Sequence, residues 1–147
     1  MSTTGLDSFD TTVQKTNLWL KELMDELGWS DRQGAYLALR AVLHTLRDRL
    51  TVEEAVELGA QLPMLVRGFY YEGWNPSGKP SKMRNKEEFL SRIRSYFPNE
   101  PDIDAEAIAS AVFRLLSMKV DRGEIEDVKG ILPADIRDLW EEWCIIV

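Results

Sequence analysis

The sequence predicts an all-α fold, a helical bundle made of two tandem four-helix repeats. Apolar residues recur at helical spacing along most of the chain, and the alternation typical of strands is nearly absent. The residue pattern of the first half also recurs 70 positions later, without insertions or deletions. Identical pairs include Leu62/Leu132, Pro63/Pro133, Arg67/Arg137 and Glu54/Glu124. Self-similarity at a fixed period indicates a repeat architecture.

We expect the repeats, residues 15–74 and 85–144, to pack against each other about a pseudo-twofold axis within one domain, residues 1–147. A unit of about 60 residues buries too little of its surface to be stable alone. Two loosely tethered subdomains are the alternative.

Four helices are predicted in the first repeat, each with its own start or stop signal. Polar capping residues start a helix, glycine ends one, and proline interrupts one but fits the first turn of the next. The signals are Gly28, the capping boxes Ser30/Gln33 and Thr51/Glu54, Pro63, and Gly73.

The second repeat follows the same plan with different residues at the caps. At a repeated helix start we expect the capping residue to change only to another residue whose side-chain oxygen can cap the helix. The signals are Asn85/Glu88, Pro98 and Pro101, Asp102 or Asp104, Asp121/Glu124, and Pro133.

Composition excludes several function classes. The net charge of −7 argues against broad binding of nucleic acid or anionic membranes. No apolar run reaches the ~18 residues of a membrane span, and the polar N-terminus lacks the pattern of a signal peptide. A single cysteine, Cys144, forms no internal disulfide, which favours a cytoplasmic location.

The segment between the repeats, residues 73–84, is called the inter-repeat loop here. The second half of this loop belongs to the one basic stretch of an otherwise acidic chain. That stretch, Lys79 to Arg94, holds six basic and two acidic residues. A positive loop beside aromatic side chains suits a phosphate, a carboxylate or an acidic protein surface. The candidate binding residues are Tyr71, Trp74, Lys79, Lys82 and Arg84. The alternative is a structural linker whose Trp74 tucks back into the core.

No catalytic or metal-binding set is predicted, and no cofactor. His44 is the only histidine, and its counterpart in the second repeat is Arg114, so we expect it on a helix flank. Glu53 and Glu57 are expected to face water. Two symmetric ion pairs, Arg67–Glu72 and Arg137–Glu142, are expected to stabilise the repeats.

Two stretches resemble a bacterial family known only as domain of unknown function 2267. They are the run from Gln61 to Pro63 and the run from Tyr71 to Trp74, within a resemblance that covers roughly Leu18 to Trp143. The resemblance implies an all-helical, soluble bacterial protein and brings no activity, cofactor or site residues.

The leading functional hypothesis is a non-catalytic interaction module that presents residues 71–86 to an acidic or protein partner. A small-ligand carrier with an aromatic or apolar pocket between the repeats is the alternative, and catalysis ranks third. A homodimer is compatible with the sequence.

Overall fold

Our computed structural model describes residues 3–141 of the chain. This part contains eight α-helices, joined by turns and loops, and no strand. The all-α prediction is therefore confirmed. The helices are α1 Asp7–Leu27, α2 Arg32–Arg49, α3 Val52–Ala60, α4 Met64–Tyr71, α5 Lys86–Arg94, α6 Ala105–Lys119, α7 Arg122–Ile131 and α8 Ala134–Glu141. Glu142, Trp143, Cys144 and the apolar tail lie outside the described residues.

Several helix ends use the residues that the sequence indicates. The side chains of Thr51, Asn85 and Asp104 accept hydrogen bonds from backbone amides in the first turns of α3, α5 and α6. Gly28 ends α1 with a left-handed φ of 70°, which glycine adopts without steric cost. The prediction for α2 was wrong by one residue: Asp31, not Ser30, caps it, because the Asp31 carboxylate accepts from the amide of Gln33 at 3.1 Å.

The last three helices of each half occur at matching positions. Adding 70 to the bounds of α4 gives those of α8, and α3 and α7 begin at matching residues. The first helices differ, since α1 has 21 residues and α5 has nine. The positions that match the start of α1 fall in the inter-repeat loop and just after it, where Gly78 and Pro80 disfavour a helix.

The core forms around α2 and α6, which contact each other and are buried over most of their length. Helices α1 and α4 also pack on α2, and α5 and α8 pack on α6. Helix α1 crosses to contact α6, α5 crosses to contact α2, and α3 lies against α7. Phe113 of α6 stacks on Trp140 of α8 with ring centroids 4.1 Å apart. No helix among the described residues is long and apolar enough to cross a membrane.

Candidate functional site

The C-terminal half of α2 holds the inter-repeat loop in place. Arg47, which is only 4% exposed, donates from Nη1 to the carbonyl oxygens of Tyr70 at 2.7 Å and Glu72 at 3.0 Å. Farther along the loop, the amide of Ser81 donates to the Asp48 carbonyl at 2.7 Å. Arg49 Nε donates to the Met83 carbonyl, also at 2.7 Å. Both ends of the loop are therefore fastened to one turn of one helix. We call residues His44, Arg47, Asp48 and Arg49 the α2 platform.

Three of the four platform residues break the repeat. His44, Arg47 and Asp48 correspond to Arg114, Ser117 and Met118 in the second half. In the second half Ser117 accepts instead from Trp140 Nε1 at 2.6 Å. The unshared residues of α2 thus serve the one segment that the repeat plan does not explain.

His44 lies in the interior and not on a helix flank, so that prediction was wrong. It is 3% exposed because α4 and α5 both pack on this side of α2. Its Nε2 donates to the Phe69 carbonyl at 2.6 Å, which leaves Nδ1 to accept from the Tyr96 hydroxyl at 3.2 Å. Burial lowers the pKa of His44, and the charges of Arg47 and Arg40 lower it further. A neutral, doubly hydrogen-bonded imidazole here has a structural role.

The two aromatic candidates, Tyr71 and Trp74, are half-buried and pack together with ring centroids 5.5 Å apart. The Tyr71 ring passes so close to Gly59 of α3 that a Cβ there would lie 2.2 Å from its hydroxyl oxygen. In the second half Lys129 occupies the position of Gly59, and Glu141 that of Tyr71. Trp74 also packs against the core, which is the arrangement that the structural-linker alternative expects.

The three basic candidates differ from the other cations of the basic stretch. On α5, Lys86, Arg92 and Arg94 face carboxylates at 3.9, 3.8 and 2.9 Å. In the inter-repeat loop, Lys82 and Arg84 are exposed and Lys79 is half-buried. None of these three side chains makes an ion pair with a side chain of residues 3–140.

The predicted Arg67–Glu72 ion pair is absent from the described residues. Arg67 donates instead to the carbonyl oxygens of Gly59 at 2.9 Å and Leu62 at 3.0 Å, at the end of α3, where helix carbonyls need partners from outside the helix. Glu72 pairs with Arg40 at 2.9 Å. Arg137 repeats the arrangement of Arg67 at the end of α7, on the carbonyls of Lys129 and Leu132. Glu142, the partner expected for Arg137, lies outside the described residues.

A second group of charged residues lies where α3 meets α7. One carboxylate oxygen from each of Glu54, Glu57, Glu124 and Asp127 lies within 4.8 Å of the other three. We call these four residues the acidic cluster. Glu54 and Glu124 are buried, whereas Glu57 and Asp127 are exposed. Each pair is related by the 70-residue offset, so both halves contribute equally.

Burial and the neighbouring negative charges of the acidic cluster destabilise the ionised form of Glu124. The pKa of Glu124 is raised to about 8, first by burial, then by a hydrogen bond with Glu54, and then by the negative charges of Glu54, Glu57 and Asp127. The Oε2 atoms of Glu54 and Glu124 are both buried, and neither receives a hydrogen bond from a described residue. Such a pair is stable only with a proton or a cation between the two carboxylates.

The acidic cluster is visible in the sequence only when the two halves are compared, and not from the spacing of residues within one helix. Glu57 was expected to face water, and it is exposed, but it also faces three other carboxylates. Pairing acidic residues by the 70-residue offset, together with contact between α3 and α7, identifies all four members.

A cleft lies between the two connecting segments that precede α2 and α6. Its volume is about 580 Å³. The lining combines aromatic and apolar side chains with carboxylates: Trp29, Phe97, Pro101, Ile103, Asp31, Glu100 and Asp102. Residues of both repeats line this cleft, but its three carboxylates differ from the aromatic or apolar lining that was predicted for a pocket between the repeats.

Comparison with protein families identifies a family that covers most of the chain. The family described as "Uncharacterized conserved protein (DUF2267)" matches residues 16–139. No curated protein matches the chain.

Proposed function

We propose a function from geometry alone, because the chain belongs to the DUF2267 family and that family is described only as uncharacterized. The function is that of a non-catalytic interaction module. It presents the cations of the inter-repeat loop to an acidic protein surface. Homodimerisation and a cytoplasmic location stay predictions.

One observation carries the proposal: the loop is held firmly, yet its cations have no partner among the described residues. Asp48 and Arg49 fasten its backbone through two hydrogen bonds, and Arg47 fastens the residues just before it through two more. The chain carries 25 acidic residues, so pairing Lys79, Lys82 and Arg84 internally would need only a different placement of carboxylates. Among the described residues no carboxylate is placed to pair with these cations, which leaves them available to an acidic partner.

A fixed loop improves binding because less conformational freedom is lost on association. Ordering a flexible side chain at an interface costs about 0.5–1.5 kcal/mol, and ordering the backbone costs more. The α2 platform meets the backbone part of that cost during folding. Exposed cations on a fixed backbone then provide charge complementarity, which mainly accelerates association and weakens with salt.

The test is capture of acidic proteins from a lysate of the source cells, with the variant Lys79→Glu, Lys82→Glu, Arg84→Glu. A matched control reverses three other surface cations, Lys15, Lys21 and Arg32, and has the same net charge. We expect a partner that the wild type and the control retain and that the loop variant loses. Capture should also weaken between about 50 and 300 mM salt. Equal capture by both variants would contradict the proposal, provided that circular dichroism shows both folded.

We also infer that the two halves pack about a pseudo-twofold axis. Exchanging the halves converts the α1–α6 contact into the α5–α2 contact, and the α2–α4 contact into the α6–α8 contact. The α2–α6 and α3–α7 contacts map onto themselves, so an axis would pass through both. Such an axis places the acidic cluster at a contact between equivalent helices.

A small-ligand carrier is the second candidate, and the cleft between the connecting segments favours it. A volume of about 580 Å³ lies in the usual range for small-molecule sites. Trp29 and Phe97 beside Asp31, Glu100 and Asp102 would suit an amphipathic cation better than an anion. Native mass spectrometry of freshly purified protein tests this: a bound small molecule supports the carrier, and repeated absence contradicts it.

A further inference from the structure

We propose that the acidic cluster between α3 and α7 is a binding site for a divalent cation, and that Ca²⁺ fits it best. The site is separate from the inter-repeat loop and does not depend on the function proposed for it.

Two independent observations support the assignment. The first is the geometry of the ligands: Glu54 and Glu57 from α3 meet Glu124 and Asp127 from α7, with one oxygen of each within 4.8 Å of the rest. The second is the state of the two inner side chains. Glu54 is 8% exposed and Glu124 is 9% exposed, and each directs one carboxylate oxygen into the cluster. Each also has a buried Oε2 atom that receives no hydrogen bond from the described residues. An anion buried without a donor is costly, and a cation removes that cost.

The chemistry of the ligands selects a hard cation. All four are carboxylates, and the cluster contains no histidine or cysteine, the ligands that favour zinc and copper. Carboxylate oxygens are typical ligands of Ca²⁺, Mg²⁺ and Mn²⁺.

The spacing of the oxygens selects among these ions. Ca²⁺ binds oxygen at about 2.3–2.6 Å, so ligands on opposite sides of it lie about 4.6–5.2 Å apart. Mg²⁺ binds at about 2.0–2.1 Å and needs opposite ligands only about 4.0–4.2 Å apart, in strict octahedral geometry. Oxygens spread over as much as 4.8 Å suit Ca²⁺ without movement of the helices.

The burial pattern describes the rest of the coordination. Glu54 and Glu124 would hold the ion from the protein side, and Glu57 and Asp127 from the solvent side. Because Ca²⁺ takes six to eight oxygens, second oxygens of the carboxylates and water would complete the shell. An ion here would join α3 of one half to α7 of the other.

Calorimetric titration of the full-length protein with CaCl₂ at pH 8, after treatment with a chelator, tests the proposal. The site variant is Glu54→Gln with Glu124→Gln. The matched control is Glu53→Gln with Glu126→Gln, which removes the same charge from exposed positions of the same two helices. We expect one Ca²⁺ per chain in the wild type and the control, and affinity weaker by on the order of 100-fold in the site variant.

Three outcomes would overturn the proposal. One is the absence of Ca²⁺ binding by the wild type at millimolar concentration, which would leave a shared proton as the stabilising group. Another is equal binding by the site variant and the control, which would mean diffuse attraction to an acidic surface. The third is tighter binding of Mg²⁺ than of Ca²⁺, which would contradict the assignment from oxygen spacing. A glutamine keeps the shape of glutamate, and thermal melting of both variants verifies that they are folded.

Discussion

Beneath the inter-repeat loop, the polar groups that α2 buries find their partners inside the protein, whereas between α3 and α7 two buried carboxylates face each other. His44 uses both ring nitrogens, and Arg47 donates to two carbonyl oxygens and to the Asp48 carboxylate. Glu54 and Glu124 each leave a buried oxygen without a donor among the described residues. A satisfied network holds structure, and an unsatisfied one indicates where a proton or ligand belongs.

The two regions also differ in how they relate to the repeat. The α2 platform is built mainly from residues that differ at the matching positions of the second half, and it fastens the inter-repeat loop. The acidic cluster is built from residues that both halves share. Shared residues were expected to be structural, and the acidic cluster shows that shared residues can also gather charge from both halves where α3 meets α7.

Among substitutions that compare the α2 platform with the acidic cluster, we expect Arg47→Ala to lower the free energy of unfolding most. The substitution leaves the carbonyls of Tyr70 and Glu72 and the Asp48 carboxylate without their donor. We expect the free energy of unfolding to fall by about 3–5 kcal/mol. Urea denaturation measures this, with the exposed Arg122→Ala as control, for which the expected change is under about 0.5 kcal/mol. A loss below about 1 kcal/mol would show that the loop does not depend on Arg47.

A smaller effect is expected where Tyr71 crosses Gly59. Alanine at position 59 would press its Cβ against the Tyr71 ring, and we expect a loss of about 1–2 kcal/mol in the free energy of unfolding. In a Tyr71→Ala background the same substitution should cost close to nothing, because the main clash is gone. A double-mutant cycle in urea measures the coupling.

Gly68→Ala serves as the control for Gly59→Ala, since an added Cβ there meets nothing within 4 Å. It should stabilise α4 by roughly 0.5–1 kcal/mol. Equal costs at position 59 with and without Tyr71 would contradict the packing described here.

The smallest effect concerns pH and His44. The folded pKa of His44 is lowered below its ordinary value of 6.5, so the unfolded chain takes up this proton first as the pH falls. The contribution of His44 to stability is therefore complete above pH 6.5 and is lost as the pH falls from there through its lowered folded pKa. We therefore expect the stability of His44→Gln to fall less steeply than that of wild type between pH 7 and pH 5.

Urea denaturation at pH 7, 6 and 5 of wild type and His44→Gln measures it. Glu124 contributes the opposite slope, because its raised pKa makes the folded state hold more protons below pH 8. Subtracting the free energy of unfolding of His44→Gln from that of wild type at each pH cancels the contribution of Glu124. Identical slopes for both would show that His44 takes up its proton equally well in the folded and unfolded states.

Much of the fold could be predicted from the sequence because caps, prolines and apolar periodicity act locally. Thr51, Asn85 and Pro133 mark helix starts that the structure confirms. The site was harder because it depends on tertiary contacts. The burial of His44 comes from α4 and α5 packing on one side of α2, and Arg67 caps α3 instead of pairing with Glu72. The acidic cluster exists only where α3 and α7 meet.

The measurement that tests the central contrast most directly is the free energy of unfolding of Glu124→Gln at pH 9 in the presence of a chelator. The raised pKa of Glu124 means that its contribution to stability is complete below pH 4.5 and is lost as the pH rises through about 8. The glutamine carries no charge, and its amide can donate to Glu54. We therefore expect the variant to be more stable than wild type by roughly 1–3 kcal/mol at pH 9, and the difference to shrink towards pH 5. A variant less stable than wild type at pH 9 would show that the acidic cluster, like the α2 platform, is already satisfied within the protein.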